Sequence, residues 1–86
     1  MKNTEQQKRD YLYFNSFGVI YQMEKTKMEA GDLCNSCMQQ AKEDLQTIFN
    51  DNIDTDHDTL KKTVVEFLQG QLKELGIENV KAKVEA

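Results

Sequence analysis

The chain has 86 residues, 38% hydrophobic and 30% charged, which is room for one small domain spanning residues 1–86 and for no second one. Its formal charge of −4 is concentrated in the middle: residues 31–60 carry Lys42 alone against seven acids, while each flanking third carries five basic and four acidic side chains. No stretch clusters Lys and Arg as phosphate binding requires, which excludes direct nucleic-acid binding, and no window of about 18 apolar residues offers a membrane span.

The N-terminal Met-Lys-Asn-Thr-Glu-Gln-Gln-Lys-Arg-Asp lacks the apolar stretch of an export signal. The expected location is therefore cytoplasmic, with both cysteines as reduced thiols. There is no proline and there are only four glycines, so few residues interrupt helices. A domain of this size buries only roughly 60–65% of its unfolded surface, and a second copy would help cover its thin core.

The first segment is bracketed by helix signals. Thr4 followed by Gln7 can close a capping box, and Lys25 and Lys27 precede Gly31 as a stop. These predict a helix over 4–30. On its wheel Tyr13, Phe14, Phe17, Ile20, Tyr21 and Met28 share a broad arc, and Leu12, Val19 and Met23 a narrower one. A rival reading rests on the β-formers Tyr11-Leu12-Tyr13-Phe14 and Val19-Ile20-Tyr21 flanking Asn15-Ser16-Phe17-Gly18. It makes 10–23 a β-hairpin and the fold α+β, with two helices and a C-terminal strand. Gly18 counts against the helix, by about 1 kcal/mol relative to alanine.

A second helix is predicted over 32–50, with Asp32 as its cap and Cys34, Met38, Ala41, Leu45, Ile48 and Phe49 as its apolar stripe. A third is predicted over 56–75, with the stripe Leu60, Val64, Phe67, Leu68, Leu72 and Leu75. Asp56 or Asp58 is its cap, Gly76 its left-handed terminator, and Ile77 can pack back on Leu72. The run Val80-Lys81-Ala82-Lys83-Val84-Glu85 alternates with period two and reads as a short extended or strand-like tail. The fold class is thus mainly α, a three-helix arrangement with that tail.

Three groups invite a chemical reading. Cys34 and Cys37, spaced as CxxC, can exchange disulfides or, with His57 and a neighbouring Asp, bind zinc. The preceding Ala30-Gly31-Asp32-Leu33 is a turn rather than the strand that usually precedes a redox CxxC, so two small semi-buried residues are the simpler expectation. Asp54-Thr55-Asp56-His57-Asp58 fails as a calcium loop, since Thr59 stands where glycine belongs and Val65 where glutamate belongs. His57 is expected to be a solvated loop residue.

No nucleophile, base and orienting acid occur together, so no enzyme and no cofactor are predicted. The expected function is a non-catalytic protein-binding or regulatory module whose expected partner is a second copy, in a homodimer. Its interface residues would be Tyr11, Tyr13, Phe14, Phe17 and Tyr21. Two alternatives stand beside it. One is a small phage- or mobile-element-type inhibitor acting through an acidic surface at Asp51, Asp54, Asp56 and Asp58. The other is a redox or metal sensor using Cys34, Cys37 and His57.

Overall fold

The computed structural model describes residues 4–77. Three helices follow in order: α1 (Glu5–Glu29), α2 (Asn35–Asp51) and α3 (His57–Glu74). The fold is therefore mainly α, and among the described residues there is no strand. The N-terminal hairpin is not formed, because α1 runs unbroken through 10–23. The extended tail at 80–85 lies outside the described residues.

The helix is preferred to the hairpin because both its ends are closed locally. The Thr4 hydroxyl accepts from the Gln7 N–H while the Gln7 side chain accepts from the Thr4 N–H, completing the capping box. At the other end Gly31 takes φ +72°, and the N–H groups of Gly31 and Asp32 return to the carbonyls of Met28 and Lys27 in a Schellman ending. Gly18 sits on the outer side with nothing near the position a Cβ would take. Its cost is the helix propensity alone, which 25 residues of helix absorb.

Asp56 caps α3, its carboxylate accepting from the Thr59 N–H at 3.0 Å and from the Thr59 hydroxyl at 2.8 Å. Gly76, at φ +68°, closes the helix with a second Schellman pair, Ile77 N–H to Leu72 and Gly76 N–H to Lys73. The cap of α2 differs from the expected one. The helix starts three residues after Asp32, and Cys34 is its N-cap, with its sulfur accepting from the Cys37 N–H at 3.2 Å. Asp32 lies at the C-terminal side of the α1 turn instead, 3.8 Å from Lys27.

Connections of five residues, 30–34 and 52–56, make consecutive helices antiparallel neighbours. The cross-contacts agree: Arg9 reaches Asn52, Tyr13 reaches Gln46, and Glu24 reaches Lys42. One core lies between the three helices. It comprises Leu12, Val19, Ile20 and Met23 of α1, Met38, Ala41 and Leu45 of α2, and Leu60, Val64, Leu68 and Leu72 of α3, with Ile77 at its end. Among the described residues Ser16 is the one buried polar side chain there, and its hydroxyl donates to the Leu12 carbonyl one turn back.

Candidate functional site

The two apolar arcs of α1 have different fates. The narrower one, Leu12, Val19 and Met23, joined by Ile20, enters the core. The broad arc is split by its distance from that core. Tyr13 and Phe17, nearest to it, are half-buried and pack within the molecule: the Tyr13 ring lies 4.7 Å from Phe17 and 5.1 Å from Phe49, and its hydroxyl donates to Gln46 at 2.6 Å. Of the five expected interface residues, Tyr13 therefore joins α1 to α2 and Phe17 packs against the core.

The rest of the arc, Phe14, Tyr21 and Met28, faces outward, and Tyr11 lies beside it. Tyr11 is 55% exposed, Phe14 71%, Tyr21 59% and Met28 63%. With the exposed Gly18 and Lys25 they follow the spacing 11, 14, 18, 21, 25, 28, alternating steps of three and four. On a 3.6-residue helix that row stays within about 100° of the circumference. Met28 belongs to this face; the sequence placed it on the broad arc, but it was not among the five expected interface residues. The signal was present as the heptad spacing from Phe14 through Tyr21 to Met28, but two apolar arcs on one helix hid which of them would be covered.

Two hollows flank α1. One, of about 250 Å³, is lined by Gln7, Asp10, Tyr11 and Phe14 and belongs to the exposed row. The other, also about 250 Å³, lies between Arg9, Tyr13, Phe49 and Ile53. Both fall below the usual volume of an enclosing small-molecule pocket, which starts at about 300 Å³. A residue that sequence reasoning missed governs the second. The Arg9 guanidinium donates to the carbonyls of Asn52, Ile53 (2.6 Å) and Thr55 (3.3 Å). It thus supplies the cation that the last turn of α2 lacks.

Around Asn52–Asp58 the acids take separate roles. Asp51, Asp54 and Asp58 are exposed, whereas Asp56 is engaged as the α3 cap. The Thr59 backbone N–H, then the Thr59 hydroxyl, hold the Asp56 carboxyl below its ordinary value of 3.8. His57 is not solvated as expected. Its side chain is 11% exposed, with Nδ1 3.7 Å from Asp58 and Nε2 buried without a hydrogen-bond partner among the described residues.

Cys34 and Cys37 are joined in a disulfide, with Cα atoms 5.2 Å apart, rather than standing as two separate thiols. Cys34 is half-buried and Cys37 exposed, and the Ser36 hydroxyl lies 3.5 Å from the Cys34 sulfur. Among the described residues no group of three or more His, Cys, Asp and Glu is arranged to hold a metal ion, so His57 does not join the cysteine pair in one. No helix among them is long and apolar enough to cross a membrane. No family model, no curated protein and no solved structure matches the chain.

Proposed function

We propose that the protein is a non-catalytic binding module that associates with a second copy of itself through the outward face of α1. The observation that carries this is the row of exposed apolar side chains, Tyr11, Phe14, Tyr21 and Met28, on a helix whose opposite face is already committed to the core. Such a row along one helix marks an interface more than scattered surface residues do.

The face is complementary to itself. Laid antiparallel on a copy about a two-fold axis near Val19–Ile20, Tyr21 meets Gly18, Phe14 meets Lys25, and Tyr11 meets Met28. The large side chain falls on the position without one, a cation falls on an aromatic ring within a turn of Asp10, and a thioether falls on the hollow beside Tyr11. Lys25 has no salt bridge of its own among the described residues, which leaves it free for that role. With about 200 Å² per large side chain, the four exposures correspond to roughly 500 Å² per copy. The pair would bury about 1,000 Å², the level at which specific interfaces begin. An isologous contact of this kind closes on itself as a dimer.

Sedimentation velocity at micromolar concentration tests the reading. The expected result is a species of twice the 10.0 kDa chain mass, reverting to monomer in Phe14→Glu and Tyr21→Glu with unchanged helical circular dichroism. A wild-type chain that sediments only as monomer refutes it.

A further inference from the structure

We infer that Cys34 and Cys37 form a thiol–disulfide exchange site at the start of α2, cycling between disulfide and dithiol with a low-molecular-weight thiol of the glutathione class. The site is separate from the α1 face and does not depend on self-association.

Three observations carry it. First, the bridge ties nothing together that the fold needs tied. It closes four residues within one turn, so it removes little chain entropy, and neither cysteine belongs to the hydrophobic core. The fold therefore stands in either redox state. Second, the two sulfurs are unequal. Cys37 is exposed, and Cys34 is half-buried and held by the Cys37 N–H at 3.2 Å with the Ser36 hydroxyl 3.5 Å away. Third, the first turn of α2 carries no acidic side chain. A negative sulfur at Cys34 meets free backbone N–H groups and the positive helix end, with no competing carboxylate in that turn.

These features assign the direction of exchange. An external thiolate attacks the exposed Cys37 sulfur, a new S–S bond forms there, and the Cys34–Cys37 bond breaks. Its electron pair leaves on Cys34, where the α2 N-terminus receives the thiolate. A second external thiolate then attacks the sulfur of the first one, freeing Cys37 as a thiolate. In sum two external thiols are oxidised to one disulfide and the protein disulfide is reduced to a dithiol, with two protons passing from the former to the latter. The reverse sequence closes the bridge.

The test is an equilibration of the full chain in glutathione buffers running from fully reduced to fully oxidised. Samples are acid-quenched, alkylated and weighed intact. The pair is expected to pass from dithiol to disulfide within the series, with unchanged helical circular dichroism at both ends. Cys34→Ser is expected to capture glutathione at Cys37 several-fold faster than Cys37→Ser captures it at Cys34. A bridge that survives the fully reduced buffer, or a pair that stays reduced in the fully oxidised one, overturns the exchange site. Equal capture rates in the two variants overturn the assigned direction of attack.

Discussion

Replacing Arg9 by alanine is expected to cost a large share of the stability of this domain. The guanidinium donates to three carbonyls at the end of α2 and in the turn after it, 43 to 46 residues along the chain. A hydrogen bond from a charged donor contributes about 1.5–3 kcal/mol, and a cation at a helix C-terminus about 0.3–1 kcal/mol. The contact to Ile53 is exposed and the other two are only part-buried, so water replaces some of what is lost. The net cost is about 2–3 kcal/mol. A chain of 86 residues has a total stability of about 4–13 kcal/mol. The effect is therefore large, equivalent to a fall of about 10–20 °C in Tm. Urea titration followed by circular dichroism at 222 nm measures it, and the midpoint is expected to move with the slope unchanged. All three contacts converge on one guanidinium nitrogen, Nη2; Arg9→Lys keeps the charge, but its ammonium ends one bond short of that position, so it should recover less than half of the loss. An Arg9→Ala chain within about 0.5 kcal/mol of wild type, or full rescue by lysine, would refute the reasoning.

Gly18→Ala separates the fold of the monomer from its association. With open space at the missing Cβ, alanine should stabilise the monomer by about 0.5–1 kcal/mol, yet weaken self-association by filling the place that Tyr21 of the other copy would take; urea titration at low concentration and sedimentation at high concentration read the two effects, and tighter association would contradict the proposed register. Asp56 makes stability depend on acid. Its folded carboxyl lies below 3.8, so its contribution is fully present above that value and is lost as pH falls through the lower folded one. Wild type and Asp56→Ala should thus differ in urea midpoint at pH 7 and converge toward pH 2, and a difference independent of pH would rule this out. Ser16→Ala should be neutral or stabilising by up to about 0.5 kcal/mol, because the buried hydroxyl bonds only to the Leu12 carbonyl of its own helix while alanine is the better helix former; thermal melts showing a loss above about 1 kcal/mol would mean the hydroxyl has a further role.

The lengths and ends of α1 and α3 could be read from the chain itself, because the interactions that set them are local. A capping box needs only Thr4 and Gln7, and a Schellman ending needs only a glycine such as Gly31 or Gly76 and the turn before it. The period of Leu60, Val64, Leu68 and Leu72 fixes one face of α3 without reference to anything distant. The tertiary structure decided which surfaces are used. Two apolar arcs on α1 look alike in sequence, and only the placement of α2 and α3 makes Leu12, Val19, Ile20 and Met23 core while Tyr11, Phe14, Tyr21 and Met28 remain outside. The same placement turned Tyr13 onto Phe49 and Phe17 onto the core, and brought Arg9 to carbonyls dozens of residues away. Nor did the local pattern choose Cys34 over Asp32 as the α2 cap, since both residue types can accept from a helix N-terminus. Burial is a property of the assembled helices, and periodicity can name the faces of a helix but not the neighbour that covers each one.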